Sequence, residues 1–272
     1  HGYYYYYGFN DWESALEQAE LGLKGQPNNA EIIGLTGIIK RRQGKWEEAV
    51  AALIRAAGLD PLHVDYVRSV SNTYSTMRNW AEAERYADQV ILMWPEHSWG
   101  YSLKAPVYIW SRGDIEKARG VMQEALEKVD PSLLAGRRSY IEILARDYQK
   151  ALDILEASTA DYFLRKADIY RYMGQPEQAA AYYDSVRVTY EEQARNNPHY
   201  DATHGDLGIA YAGLGRREEA IREGKLAVAI MPLSRDALAG TTMILDLAKI
   251  YSMLGEHDAA IDQLGILLSI PN

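Results

Sequence analysis

Residues 30–61 read AEIIGLTGIIKRRQGKWEEAVAALIRAAGLDP. Ile33, Thr36 and Gly37 prescribe a first helix, and Val50, Leu53 and Ala56 a second that runs to Asp60-Pro61. Apolar residues three and four apart give each helix one buried stripe. Between them Gly44-Lys45-Trp46-Glu47-Glu48-Ala49 makes a corner. Gly44 supplies backbone freedom at the end of the first helix, where a side chain would strain the turn. Trp46 packs over the corner, and Ala49 is small because the helices cross closest there. Pro61 cannot extend the second helix, so the next unit starts cleanly.

The corner alanine returns at Ala15, Ala49, Ala83, Ala118, Ala151, Ala179, Ala220 and Ala260, with spacings of 34, 34, 35, 33, 28, 41 and 40. A self-similar period in this range marks stacked repeats, none of which can bury its own apolar face. Trp80 and Ala83 with Pro95, Gly113 and Ala118 with Asp130-Pro131, and Gly208, Gly215 and Ala220 with Pro232 repeat the grammar. Tyr74, Tyr108, Tyr170, Tyr211 and Tyr251 hold one equivalent place near the end of the first helix.

These residues make the chain resemble the tetratricopeptide repeat family over nearly all of its 272 residues. The resemblance implies an all-α fold, a right-handed superhelical α-solenoid of about eight helix pairs whose first helices line a concave groove. Two arrays are expected. Residues 1–158 carry units 1–5, the first incomplete and the fifth degenerate, and residues 159–272 carry units 6–8.

The spacing departs from its own rule in three places. Between Ala151 and Ala179 it drops to 28, so the second helix of unit five should be clipped near Leu155 to Asp161. From Glu177 to Asn196 no Gly or Pro interrupts, while Tyr182, Tyr183, Val186 and Tyr190 keep helical spacing. That predicts a helix over 177–196, roughly 30 Å long at about 1.5 Å per residue. Between Ala220 and Ala260 the addition lies in Pro232 to Thr242. Such insertions are where an array differs from its generic form.

Composition bounds the function. Lys and Arg number 29 against 38 Asp and Glu, a net charge of −9, which disfavours duplex nucleic acid or an anionic membrane as partner. The absence of cysteine removes disulfides, thiolate metal sites and thiol nucleophiles, and suits a cytoplasmic location. No apolar run approaches the 18 or so residues of a membrane span. The start, His1-Gly2, has no initiator Met, basic region or cleavage site, so the chain reads as a fragment of a larger protein. Tyrosine is abundant, 21 against 2 Phe, and five of them form Tyr3 to Tyr7 before the first corner. A helix can use such residues on buried and wet faces alike, because the ring packs while the hydroxyl stays solvated.

No catalytic constellation emerges, and no cofactor is expected. Gly37 to Gly44-Lys45-Trp46 has the wrong interval for a phosphate loop and no Ser or Thr after the Lys. One cluster, His199-Tyr200-Asp201-Ala202-Thr203-His204-Gly205-Asp206, has metal-ligand flavour. Asp201 also suits a helix start after Pro198, and His204 occupies the family position that faces into the unit. A buried, hydrogen-bonded His204 is the expectation, with a metal-dependent enzyme as the alternative.

On the family frame the groove receives Arg41, Arg68, Asn72, Trp99, Arg137, Tyr140, Arg165 and Arg171. Arginine forks take carboxylates in a bidentate way, and Trp and Tyr offer rigid apolar contact. The mixture resembles family grooves that clamp acidic or C-terminal peptides. Asp65, Asp161 and Asp168 share the surface and offset some of the attraction, and the Lys and Asn pattern of the chaperone-tail clamp is not reproduced in register. A self-packing groove therefore competes with an acidic-peptide groove.

A non-catalytic protein–protein interaction scaffold is the leading reading, with self-assembly as an alternative. Gly205 to Tyr211 and Leu245 to Tyr251 are similar to the C-terminal repeats of bacterial multidomain signalling proteins that carry a cyclase, kinase or winged-helix effector upstream. That similarity implies a regulatory fragment. At the C-terminal edge, a last helix near His257 to Ser269 carries Ile261, Leu264 and Leu268 on more than one side, and only Ile270-Pro271-Asn272 follows. An apolar outer face there would be covered by a further segment or by a homodimer partner.

Overall fold

The computed structural model describes residues 1–158 and 160–270, and among these every regular element is a helix. The chain forms two compact units that divide between Ala145 and Arg146. The first holds α1 (Gly2–Phe9), α2 (Trp12–Gly25), α3 (Ala30–Arg42), α4 (Trp46–Leu59), α5 (Val64–Thr76), α6 (Trp80–Met93), α7 (Ser98–Arg112), α8 (Ile115–Leu126) and α9 (Pro131–Leu144). The second holds α10 (Tyr148–Glu156), α11 (Phe163–Tyr172), α12 (Pro176–Asn196), α13 (Asp201–Gly213), α14 (Arg217–Ile230), α15 (Ala239–Met253) and α16 (His257–Leu268). The boundary falls a single helix earlier than the 158/159 division expected from the spacing, because α10 packs onto α11, where Tyr148 meets Tyr172 at 5.7 Å.

Each pair is closed by one left-handed residue five positions before its corner alanine. These are Asn10, Gly44, Arg78, Gly113, Arg146, Gly174, Gly215 and Gly255, with φ from 51° to 78°. Eight corners therefore recur at the spacing of the alanines. Glycine adopts this conformation freely; an arginine does so only under tertiary constraint. The corner alanines Ala15, Ala49, Ala83, Ala118, Ala151 and Ala220 are fully or almost fully buried. Close crossing leaves no room for more: a Cβ on Gly37 would lie 2.7 Å from Leu53 Cγ and 3.2 Å from the Ala49 carbonyl oxygen.

Helix starts are fixed by side-chain caps. Asp11, Asn29, Asn79, Asp114, Asp130 and Asp147 each accept a hydrogen bond from an amide two or three residues on. Each such cap is worth about 1 kcal/mol. α10 is clipped to 9 residues, and α12 extends to 21, ending at Asn196 with Asn197 as its cap before Pro198. The added residues before the eighth unit form a turn ahead of α15, where buried Asp236 accepts from the amides of Leu238 and Ala239.

In each unit, successive first helices lie side by side: α1, α3, α5, α7 and α9 in one, α11, α13 and α15 in the other. They present the faces on which the sequence places the groove residues.

Candidate peptide-contact surfaces

In the first unit the face is built around α5 and α7. Asp65 and Arg68 sit one helical turn apart on α5 and pair at 2.9 Å. The guanidinium of Arg68 lies over the Trp99 ring, 4.0 Å from its centroid. Trp99 opens α7, where His97 fixes the chain entry: its Nδ1 accepts from the Trp99 amide at 3.3 Å. Trp94 meets Trp99 edge-on at 5.6 Å and His97 at 4.6 Å. Trp94 remains 44% exposed and the Arg68 side chain 35% exposed. Among the described residues the Arg68 Nε has no hydrogen-bond acceptor.

The sequence places Arg68 and Trp99 on this face, and the fold brings them together. It gives no role to His97 or Trp94. The available signal is an aromatic residue immediately before the closing Pro95. From α1, Tyr3 joins the same neighbourhood. Its hydroxyl is pushed up to about 12, mainly by burial and then by the charges of Glu31 and Asp65. Tyr3 stacks on Tyr7 at 5.9 Å, and Tyr7 stands well out in solvent. Arg41 on α3, Asn72 on α5, and Arg137 and Tyr140 on α9 are half-buried positions of the same unit.

Arg165 and Arg171 belong to the second unit, on α11. Arg165 lies 5.6 Å from the Tyr162 ring, and exposed Arg171 lies 4.7 Å from that of Tyr172. Carboxylates dominate their surroundings. Asp168 accepts from the Tyr183 hydroxyl at 2.7 Å and from Lys249 of α15 at 2.5 Å, a reach of 81 residues. Asp206 on α13 and Asp246 on α15 are both held above the usual carboxylate range, chiefly by burial. Asp246 reaches about 6, with the Asp206 charge contributing. The unit's own charges, Asp168, Asp206, Asp246 and Lys249, thus interact with one another here.

The His199–Asp206 stretch divides. His199 and Tyr200 are exposed in the turn before α13, and Asp201 stands in its first turn. His204 is buried, with Nδ1 2.7 Å from Glu223 Oε2 and Nε2 3.0 Å from the Pro198 carbonyl oxygen. Both ring nitrogens are engaged, and no group of three or more potential ligands is placed to hold a metal ion among the described residues. No described helix is long and apolar enough to cross a membrane.

At the C-terminal edge α16 buries only Ala260. Ile261 is 63% exposed, Leu264 41% and Leu268 80%. The residues Pro271 and Asn272 of the expected tail lie outside the described residues.

Residues 158–232 match the tetratricopeptide repeat family model. No curated protein matches the sequence. Among solved structures, a tetratricopeptide repeat protein from Parabacteroides merdae ATCC 43184 is similar over 96% of both chains, with a TM-score of 0.59 and 17% identity. A chain of the APC/C hetero-tetramer Cut9–Hcn1 is similar over 93% of this chain and 49% of its own length, with a TM-score of 0.53 and 16% identity. At such identities the likeness is one of fold.

Proposed function

We propose that the chain, whose residues 158–232 match the tetratricopeptide repeat family model and whose fold is similar to that of a tetratricopeptide repeat protein, is a non-catalytic, cytoplasmic scaffold that reads an acidic peptide on its first unit. Arg68 stacked on Trp99 carries the reading. A guanidinium held flat by an aromatic ring is oriented before a ligand arrives, so less rotamer freedom is lost on binding. A ligand carboxylate would meet this guanidinium beside Asp65, which already holds Nη2 at 2.9 Å, and Trp94 supplies exposed apolar area for a neighbouring peptide side chain. Arg41, Asn72, Arg137 and Tyr140 extend the contact along the unit. Arg165 and Arg171 form a separate, weaker contact in the second unit, where the Asp168 charge acts on Arg171. A regulatory role within a larger signalling protein accords with this reading.

A peptide library screened against the whole chain tests it. Acidic sequences should be enriched, binding should weaken with salt because the contact is partly exposed, and Arg68→Glu should lose affinity at least tenfold, about 1.4 kcal/mol. Enrichment of neutral or basic peptides, unaffected by Arg68→Glu, would reject the acidic groove.

A second reading is favoured by one observation, the exposed Ile261, Leu264 and Leu268 on α16. On that reading two copies pair through this edge, as a two-fold contact between identical apolar patches allows.

A further inference from the structure

The buried His204 meets two groups that only accept. Its Nδ1 faces Glu223 Oε2 at 2.7 Å, while Glu223 Oε1 accepts from Arg222 Nε at 3.1 Å and Nη2 at 3.0 Å. Its Nε2 faces the Pro198 carbonyl oxygen at 3.0 Å. A neutral imidazole donates from one nitrogen and presents a lone pair at the other. With Nδ1 bare, that lone pair would point at an ionised carboxylate; with Nε2 bare, at a peptide oxygen. Only a ring protonated on both nitrogens donates both to the carboxylate that Arg222 also pairs and to the peptide oxygen.

We infer that His204 is a proton-dependent clasp, which in its cationic form ties the corner after α12 to α14 through α13 and releases that corner when the proton leaves. Three elements meet in this side chain. Pro198 ends the turn after the longest helix, His204 lies in the first turns of α13, and Glu223 lies mid-way along α14.

The surrounding charges are few. From α14 come Glu223 and Arg222. From α12 comes Glu191, which Arg187 and Arg216 neutralise and which accepts from the Tyr211 hydroxyl at 2.8 Å. On α13 itself are Asp201 and Asp206, with His199 just before it, and from α15 Asp246 lies against Gly205. The direct contacts of the ring are Glu223 and the peptide oxygen, so its proton is held by hydrogen bonds rather than by a diffuse field.

The direction follows from which form the fold binds. Both contacts are met only with both ring nitrogens protonated, so the clasp is complete with the second proton on and broken with it off.

Nitrogen-15 NMR of the histidine side chains, recorded on the whole chain with amide hydrogen exchange, tests the clasp. Both His204 nitrogens should carry protons at the acid end. As one leaves, exchange protection of the Tyr200 amide, which donates to the Asn197 oxygen at 3.3 Å in the same corner, should fall roughly tenfold, while Leu207 to Ala212 stay protected. Glu223→Gln supplies an amide donor to Nδ1, so the neutral Nε2–H form satisfies both contacts, and the pH dependence at Tyr200 should vanish. A His204 ring that is never doubly protonated would overturn the inference, as would protection at Tyr200 that ignores the loss of the ring proton or a pH response that survives in Glu223→Gln. The wild-type NMR decides the matter even where that variant folds poorly.

Discussion

The guanidinium carbon of Arg68 stands 4.0 Å from the centroid of the Trp99 ring, so a charge on α5 and an aromatic face on α7 form one preassembled group. Asp65, paired with the same guanidinium at 2.9 Å, fixes its rotation. At a partly exposed site such a stack contributes about 0.5–1 kcal/mol. A double-mutant cycle of Arg68→Ala and Trp99→Ala on local stability should return a coupling of about that size. A coupling of zero would mean that the ring and the charge are merely adjacent.

Two corners place arginine where the others place glycine or asparagine. Arg78 has φ 55° and Arg146 φ 61°. Left-handed backbone costs a residue with a Cβ roughly 1–2 kcal/mol, and some of that returns as chain entropy when glycine replaces it. Arg78→Gly and Arg146→Gly should each raise stability by up to about 1 kcal/mol in urea unfolding. Gly44→Ala, the reverse change at φ 71°, should lower it by about the same amount. The same sign for both kinds of change would contradict the corner geometry.

Gly208 and Gly120 should respond oppositely to alanine. A Cβ on Gly208 would lie 2.7 Å from Ile250 Cδ1 and 3.1 Å from both the Ala220 oxygen and the Gly224 nitrogen. Backbone on that side cannot retreat, so Gly208→Ala should cost about 1–3 kcal/mol. Gly120 in α8 has nothing within 4 Å, so Gly120→Ala should stabilise by about 0.5–1 kcal/mol. Thermal unfolding of the two variants separates them.

Asp246 titrates near 6 in the folded chain because burial disfavours its charge and Asp206 repels it. Its folded pKa is raised, so the native state binds more protons than the unfolded chain between about pH 4 and 6. Its contribution therefore falls as pH rises across that window and stays low above it. Asp246→Asn should stabilise the protein by about 1–2 kcal/mol at pH 7 and by much less at pH 4. Equal effects at the two pH values would show that the carboxylate is already relieved in solution, for instance by Lys249.

If two copies pair through α16, Leu264→Glu together with Leu268→Glu should leave the helical circular dichroism intact and return the protein to a monomer by sedimentation. Each aliphatic side chain withdrawn from water contributes about 1.5–3 kcal/mol, so losing two should weaken association by several orders of magnitude. A wild-type chain that stays monomeric at high concentration would rule the pairing out.

The sequence alone determined the repeat. Spacing of the corner alanines fixed eight helix pairs, because small residues are obligatory where two helices cross closely and their positions survive in one dimension. It also determined the clipped α10, the 21-residue α12 and the inward place of His204. Each depends on periodicity and on punctuation by Gly and Pro, which are local properties of the chain.

Tertiary structure decided what those helices do to one another's side chains. The left-handed arginines at 78 and 146 carry no local signature, since their backbone is imposed by the packing of the helices they join. Lys249 finds Asp168 across 81 residues, and His204 meets both Glu223 and the Pro198 oxygen, because hydrogen bonds and ion pairs form where separate helices converge. The sequence therefore indicated which residues face the interior, such as the corner alanines and His204. Only the folded arrangement decided that Arg68 stands stacked on Trp99, while Asp168 pairs with Lys249 in the second unit. Pairing energies are set by distance and burial, which no spacing in the chain encodes.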